Sequence, residues 1–529
     1  MMIRLFEVNI SLDDVFDLAK QKIKVAKLLK TKVENIKVFK IQKRSLDARN
    51  KSNIHYKFNY DIEFFNNVNL KHVSHKYQII EQEQKEKENI IKKTKRVCVV
   101  GSGPSGLFCA LKLALAGVQV TLLERGEKVE DRIITVQKFL NGGSFNKQSN
   151  IQFGEGGAGT FSDGKLNTGI KSKHIEYVLQ TFYDCGAKED ILYDSKPHIG
   201  TDILREVVKN IRKKLLNLQV KIYFSTFFKN FEVKGEKIEV QYLNENGDKK
   251  ELFDDLVLAV GYSARETIKM LYDKKINIEQ KDFSVGYRIE HLREDINKSQ
   301  FGENFKHKNL SAADYKLFTH LDNGRTVYTF CMCPGGEVVP AISDDKEICV
   351  NGMSLNARNS YNSNSAVLVN VTKKDYNSIH PLAGMYYQQQ LEKNAFEKGQ
   401  GKFICSRFED FAKNKASQSL GKVNPSIKPN YILGNVYELL PQELAESIKQ
   451  GIINFGQKLK GFDDKDAVLT GIETRSSAPF TIVRYKNNQT SIEHVYAIGE
   501  GAGQAGGIMS SAVDGIKIAE SIIKKYCEE

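Results

Sequence analysis

The sequence predicts an α/β fold in which a discontinuous parallel-sheet domain encloses an inserted α+β domain and follows a small α/β module. Three observations support this prediction. Residues 96–126, RVCVVGSGPSGLFCALKLALAGVQVTLLERG, have the pattern of a strand, a glycine turn, a helix and a second strand. A short buried-strand pattern ending in glycine recurs at 256–260, and a strand, a glycine turn and a helix return at 495–525. Apolar strands separated by helices are typical of a parallel sheet.

The module before this sheet comprises residues 1–80. It combines an alternating strand at 2–9, a helical pattern at 12–29, and strand patterns at 38–41 and 55–64. Residues 81–95, EQEQKEKENIIKKTK, are almost wholly polar and predict a linker. We therefore divide the rest of the chain into a first part of the parallel-sheet domain (96–280), an inserted substrate domain (281–464), and a second part of the parallel-sheet domain (465–529).

The first glycine turn has the features of a dinucleotide-binding fingerprint. Gly101 permits the tight turn after the strand, Gly103 lets the backbone approach a pyrophosphate, and Gly106 lets the helix pack against the sheet. The helix begins near Ser105, where free N–H groups and the positive end of the dipole favour an anion. Glu124 ends the second strand about 20 residues later, where the fingerprint places a ribose-binding acid. This motif predicts a Rossmann-like domain but leaves NAD, NADP and FAD open.

Residues 141–169 form the most glycine-dense stretch of the chain. Gly154, Gly156, Gly157 and Gly159 are too closely spaced for a stable helix or central strand. They predict a loop whose backbone approaches another group, and a flat ring is a good candidate. A flexible surface loop is the alternative.

A second glycine turn, GEGAGQAGG, starts at Gly499 and precedes the last predicted helix. It carries Glu500 and ends in Gly506 and Gly507. This is a second anion-binding or ring-binding arrangement, and a single NAD site would not need it.

The two turns together resemble the FAD-binding domain of glutathione reductase-type and p-hydroxybenzoate hydroxylase-type flavoproteins. In that fold an acid of the second turn, usually Asp, bonds the ribityl chain, so the resemblance assigns this role to Glu500. It also implies that the last helix aims its N-terminus, near Gly507 and Ile508, at the flavin pyrimidine edge.

The chain is more closely similar to bacterial FAD-dependent, or NAD(FAD)-utilizing, dehydrogenases, a family named from its cofactor. The segments that carry this resemblance span nearly the whole chain: SLDAR (45–49), GSGPSGLFCAL (101–111), FGEGGAGTFSDGKLNT (153–168), FCMCPGGEVV (330–339), GIETRSSAP (471–479) and the terminal GEGAGQAGGIMSSAVDG. The resemblance implies non-covalent FAD and leaves open whether NAD(P)H acts as a transient reductant.

Two sets of site residues follow from these motifs and this resemblance. The predicted cofactor-binding residues are Gly101, Gly103, Pro104, Ser105, Gly106, Glu124, Arg125, Gly157, Gly159, Gly261, Gly499, Glu500, Gly506, Gly507 and Ile508. The candidate substrate-site residues are Ser162, Asp163, Lys165, Asn167 and Arg475. Arg475 could clamp an anion or brace its loop through an ion pair. No metal site and no particular catalytic residue is predicted.

Composition narrows the class of partner. The net charge of +13 is dispersed along the chain, which favours a lysine-rich solvated surface over a nucleic-acid partner. No apolar run approaches the roughly 20 residues that span a bilayer, and the N-terminus lacks the pattern of a targeting segment. The eight cysteines include one close pair, Cys331 and Cys333, for which packing is favoured over redox chemistry. We expect a cytoplasmic protein with a small-molecule substrate and no membrane partner.

These observations favour an FAD-dependent oxidoreductase that transfers hydride between a small molecule and flavin N5. Two alternatives remain open. The positive charge and the extra N-terminal module would suit a flavoprotein that binds or modifies RNA, which would bind RNA with a steep salt dependence. In the other alternative, FAD is purely structural.

Overall fold

The computed structural model describes residues 2–66, 68–80, 91 and 94–528. Most of the predicted linker therefore lies outside the described residues. The strands are β1 (Met2–Ser11), β2 (Ile36–Asp47), β3 (His55–Phe64), β4 (Tyr77–Ile79), β5 (Arg96–Val100), β6 (Gln119–Leu123), β7 (Lys221–Tyr223), β8 (Phe227–Lys234), β9 (Lys237–Asn244), β10 (Gly247–Phe253), β11 (Asp255–Leu258), β12 (Ile278–Gln280), β13 (Phe283–Leu292), β14 (Phe318–His320), β15 (Thr326–Cys333), β16 (Glu337–Pro340), β17 (Val350–Met353), β18 (Asn362–Val371), β19 (Phe403–Arg407), β20 (Tyr431–Leu433), β21 (Val468–Glu473), β22 (Phe480–Ile482) and β23 (Val495–Ala497). The helices are α1 (Leu18–Leu28), α2 (Pro104–Leu115), α3 (Val129–Leu140), α4 (His174–Asp184), α5 (Thr201–Asn217), α6 (Arg265–Asp273), α7 (Arg293–Phe301), α8 (Lys373–Tyr376), α9 (Ala383–Lys398), α10 (Phe408–Ala412), α11 (Gln442–Lys458) and α12 (Ile508–Glu528).

The predicted parallel sheet is present and joins both ends of the discontinuous domain. Its order is β23-β11-β5-β6-β7, and every neighbouring pair is parallel. The residues of β5 after Arg96 are buried, as are all of β11 and β23. Strands buried on both faces need continuous apolar sequence, which is why these short runs could be recognised.

Helices α2 and α12 approach each other and the turns of this sheet closely because glycines occupy the contact positions. A Cβ at Gly515 of α12 would lie 2.1 Å from the Ser105 carbonyl oxygen, and one at Gly499 would lie 2.5 Å from Ser105 Oγ. A Cβ at Gly106 of α2 would lie 1.9 Å from the Gly101 carbonyl oxygen. No ordinary side chain fits at these distances, so the contact between the two helices depends on glycine.

The inserted domain is built on a seven-stranded sheet with the order β14-β15-β18-β13-β21-β19-β20. Its pairs are antiparallel except β19–β20. The predicted boundary after residue 464 assigned β21 to the terminal part of the parallel-sheet domain, whereas β21 pairs here with β13 and β19. All six residues of β21 are buried, so its apolar pattern alone could not distinguish the two sheets.

The N-terminal module is an antiparallel sheet, β2-β3-β1-β4, with α1 packed against it. The helical pattern at 12–29 predicted a longer helix than α1. Residues 12–16 instead form turns, and the Asp17 side chain accepts the Lys20 N–H to begin the helix at Leu18. Arg44 of β2 donates two hydrogen bonds, of 2.5 and 2.7 Å, to Asp194 of the parallel-sheet domain. The module is thus attached by a charged bidentate contact.

The cysteines lie mainly in the interior of the protein. All eight cysteines are free, and Cys98 and Cys109 are fully buried in β5 and α2. Within the described ranges, no helix combines the length and the apolar composition needed to cross a membrane.

Candidate cofactor and substrate site

A cavity of about 840 Å³ lies where the carboxyl ends of the parallel strands face the inserted domain. Ligands of open α/β sheets bind at this edge of the sheet. The cavity is lined by every predicted site residue except Gly106 and Gly499, which instead lie at the close contacts with Gly101 and Ser105 described above. The structure therefore brings the two glycine turns, the glycine-dense loop and the candidate substrate residues together.

The first turn forms an open cradle at the start of α2. Gly101 has a φ of +102°, and a Cβ there would lie 2.3 Å from the Ala259 carbonyl oxygen. At Gly103 a Cβ would contact only Gly157, at 3.8 Å, so this position faces open space. Helix α2 begins at Pro104, and no side chain caps it. The free N–H groups of its first turn are available to an anion in the cavity.

Glu124 closes the cradle and joins three segments of backbone. Its carboxylate accepts hydrogen bonds from the Ser102 N–H (2.9 Å), the Ser102 hydroxyl (2.7 Å), the Gly126 N–H (2.9 Å) and the Gly154 N–H (3.1 Å). The side chain is buried but still lines the cavity. That Glu124 binds the ribose hydroxyls remains a prediction. The structure adds a second role, in which Glu124 holds these backbone segments together.

Arg132, which the sequence analysis missed, holds the glycine-dense loop. It lies on α3, is fully buried, and donates five hydrogen bonds of 2.7–3.1 Å to backbone carbonyls of residues 150, 151, 154, 155 and 157. Its guanidinium also lies 4.8 Å from the Phe161 ring centroid. Only the folded loop reveals this role, because nothing in the pattern of α3 distinguishes this arginine from a surface one.

The second turn places a half-buried acid, Glu500, on the cavity lining. Gly499 has a φ of +73° and donates its N–H to Asp514 of α12 (2.7 Å), which also forms a bidentate pair with Arg484. Glu500 follows, and burial raises the pKa of its carboxyl to about 7. Gly506, Gly507 and the start of α12 complete this wall. The positive end of the α12 dipole therefore faces the cavity.

Asp163 is the centre of a buried polar cluster at the far end of the cavity. Its Oδ2 lies 2.7 Å from Lys165 Nζ and 2.9 Å from an Arg358 nitrogen, and Oδ1 accepts a hydrogen bond from Ser354. His198 Nε2 lies 3.4 Å from Oδ1. The cations hold the pKa of Asp163 well below its usual range despite burial, and Asp163 raises the pKa of Lys165. Burial lowers the pKa of His198, so it is neutral at pH 7.

Arg475 lines the cavity, but its guanidinium is engaged by a buried ion network. Two of its nitrogens lie 3.0 and 2.6 Å from Glu392, and Glu347 lies at 2.9 Å. Arg265 contacts the same two carboxylates, at 2.8 and 3.0 Å. These contacts correspond to the bracing interpretation of Arg475. A direct role in holding a substrate anion would require this network to open.

The Cys331 and Cys333 pair lies on the cavity wall at a β-bulge. The register between β15 and β18 shifts between Phe330 and Cys333, and Cys331 has a φ of +40°. Cys331 is exposed to the cavity, whereas Cys333 is fully buried. Desolvation by the surrounding protein atoms of the cavity wall raises the pKa of the Cys331 thiol to about 12, so the thiol is protonated at neutral pH. The alternation expected of an extended strand is broken here by the bulge.

The cavity fits an adenine dinucleotide with a ring system. A glycine cradle at one helix N-terminus suits a pyrophosphate, and a second helix N-terminus lies across the cavity. The volume is at the upper end of the range, about 300–1,000 Å³, usual for ligand pockets. In the part of the chain that the structure describes, no group of three or more His, Cys, Asp or Glu side chains could hold a metal ion.

Sequence comparisons agree with this geometry. Residues 282–476 match the family "FAD-dependent protein, C-terminal domain-like", residues 94–133 match an FAD binding domain, and residues 2–65 match a domain of unknown function. An uncharacterized protein of Clostridium beijerinckii is 43% identical over 538 residues, covering 99% of each chain.

Solved structures show only a distant likeness. A triple mutant of the flavin-dependent brominase Bmp2 has a TM-score of 0.39 at 12% identity, covering 82% of this chain and 81% of its own. A flavoprotein/dehydrogenase from Cytophaga hutchinsonii has a TM-score of 0.35 at 9% identity, covering 83% and 80%. Likeness at this level carries no argument about the reaction. The protein binds FAD, and the chain belongs to the family of FAD-dependent proteins that includes the Clostridium beijerinckii relative.

Proposed function

We propose that this flavoenzyme is an oxidoreductase that transfers hydride between a small-molecule substrate and N5 of the flavin. The observation that carries the proposal is the continuity of one cavity from the two glycine turns to the polar cluster around Asp163. When bound there, FAD supplies the two-electron chemistry, which leaves binding, orientation and proton handling to the protein. The polar end of the cavity is the natural place for the substrate.

The charged residues that line the cavity have distinct roles. Lys165 stays protonated because Asp163 raises its pKa, so its Nζ orients the substrate rather than accepting a proton. Asp163 stays ionised and fixes the Lys165 side chain at 2.7 Å. Glu500, with a pKa of about 7, is the lining carboxyl best matched to hold or release a proton near neutral pH.

The source of the reducing equivalents belongs to the same proposal. The sequence contains no second complete glycine fingerprint with its own strand, helix and acid. We propose that NADH or NADPH, where used, binds transiently at the open cavity rather than in a dedicated domain.

Anaerobic reduction of the purified holoprotein tests the proposal. We expect NADH, NADPH or a reduced small molecule from a metabolite panel to bleach the oxidised-flavin absorption band, and Lys165→Met to slow bleaching by the substrate. Lys393→Met, an exposed site on α9, is the matched control. If no reductant of the panel bleaches the band, the structural-FAD alternative replaces the proposal. Salt-sensitive RNA binding without flavin reduction would favour the RNA alternative.

A further inference from the structure

We propose that the substrate of this site is an anion, specifically a carboxylate, and that Lys165 holds its charge. The inference rests on the proposed function and adds a substrate class to it. Its basis is the balance of charge among the buried groups that border the cavity.

The Asp163 cluster carries one positive charge in excess. Lys165 and Arg358 are both protonated, and they share the single carboxylate of Asp163 at 2.7 and 2.9 Å. His198 is neutral and so adds no charge. Because Asp163 is buried and Lys165 and Arg358 are half-buried, solvent screens the excess less than at an open surface, and a second negative charge in the cavity would be attracted.

Two other buried ion clusters lie at or behind the cavity wall, and both are balanced: Arg475 itself lines the cavity, and Arg288 donates to the carbonyl oxygen of the lining residue Cys331. Arg475 and Arg265 face Glu347 and Glu392, two cations against two carboxylates. Arg288 forms a bidentate pair with Glu473 at 2.7 and 2.9 Å. Among the three described clusters, the one around Asp163 is therefore the one that lacks a negative partner.

Lys165 is the member of this cluster that can reach a ligand. Its ammonium has three N–H donors, and Asp163 and the Met332 carbonyl oxygen receive two of them. The side chain is 28% exposed and lines the cavity, so the third donor is available to the cavity. A single excess charge and a single free donor fit a monoanionic carboxylate better than a phosphate with a charge near −2. Lys316 also lines the cavity and favours entry of an anion, whereas the lining Lys196 is paired with Asp314 at 2.6 Å.

Binding to the oxidised holoprotein tests the inference without turnover. Acetate, propionate and benzoate would each be compared with the corresponding neutral amide, with inorganic phosphate as a further probe, by perturbation of the flavin absorption band and by calorimetry. We expect at least one acid to bind about tenfold or more tightly than its amide and than phosphate. Acids that bind no more tightly than their amides, or phosphate that binds more tightly than the acids, would overturn the inference.

Substitutions at Lys165 identify the group that holds the charge. Lys165→Met should weaken the preferred acid by about tenfold or more and leave its amide unchanged, while Lys165→Arg should retain the preference for the acid. Undiminished acid binding by a folded Lys165→Met protein would overturn the assignment. If that variant does not fold, Lys165→Arg and the comparison of acid with amide decide the result. Failure of flavin reduction would instead count against the proposed function alone, because these titrations involve no electron transfer.

Discussion

Replacing Arg132 by methionine should loosen the glycine-dense loop and lower FAD affinity. The side chain donates five hydrogen bonds to loop carbonyls. Since the two N–H groups of Nη1 serve three of the carbonyls, the contacts amount to about four full bonds, which at about 1.5–3 kcal/mol each for a charged donor would nominally contribute roughly 6–12 kcal/mol. Much of this is offset by the cost of burying the guanidinium, which lowers the pKa of Arg132 to about 9. We therefore expect Arg132→Met to lower the free energy of unfolding by about 3–5 kcal/mol, which is large for a single substitution.

The affinity for FAD should reflect this loss, since the loop lines the cofactor cavity. If about 3 kcal/mol of the free energy of FAD binding is needed to order the loosened loop, the FAD dissociation constant rises by about 100-fold. Flavin content after purification, fluorescence titration of the apoprotein and thermal unfolding measure the effect. Arg132→Lys, which has three N–H donors for five carbonyls, should have a flavin content and a melting temperature between those of Arg132→Met and the wild type. The control Lys138→Met, on the exposed face of α3, should match the wild type in both. Wild-type flavin content and melting temperature in Arg132→Met would refute the reasoning.

Three further predictions concern the cradle and the second turn. Gly103→Val should fill the space predicted for the pyrophosphate and lower FAD occupancy, while apoprotein stability stays within about 0.5 kcal/mol of the wild type. A purified Gly103→Val protein with full yellow colour would contradict the prediction of lower occupancy. Glu124→Ala leaves three backbone N–H groups without their acceptor, so it should cost about 2–4 kcal/mol in urea unfolding and lower flavin content. Glu500 has a folded pKa of about 7, raised from 4.5 by burial, so the native state holds the proton more tightly than the unfolded state. Its contribution to apoprotein stability should therefore fall between about pH 4.5 and pH 7, by up to about 3 kcal/mol, and Glu500→Gln should remove this part of the pH dependence of unfolding.

Much of the nucleotide-binding fold was predictable because its signals are local. The second strand predicted before Glu124 is observed as β6, and the helix predicted after the second glycine turn is observed as α12. A strand buried on both faces needs a short continuous apolar run, and a following glycine marks its end. This local pattern is enough to identify such a strand in the sequence. The strand predicted at 256–260 ends earlier, at Leu258, because Ala259 and Val260 leave the sheet to form the turn against Gly101.

The polar side of the site was predictable only as a set of candidates. Asp163, Lys165 and Asn167 line the cavity as expected, but the partners of Asp163, which are Ser354 and Arg358, come from the inserted domain, nearly 200 residues away in the chain. Arg475 likewise meets Glu392 on α9 and Glu347 before β17. Such contacts depend on how two sheets face one another, and no local pattern records that arrangement.

The sequence by itself determined the glycine turns and the strands beside them, because backbone geometry near a phosphate restricts the residue at each position, and its resemblance to known flavoproteins indicated FAD. The tertiary structure alone decided which charges are paired. It placed Arg132 under the loop, enclosed Arg475 in a balanced network, and left the cluster around Asp163 and Lys165 with one uncompensated positive charge. The physical reason is that a turn is set by neighbouring residues, whereas the charge of a buried site is the sum over residues from distant segments.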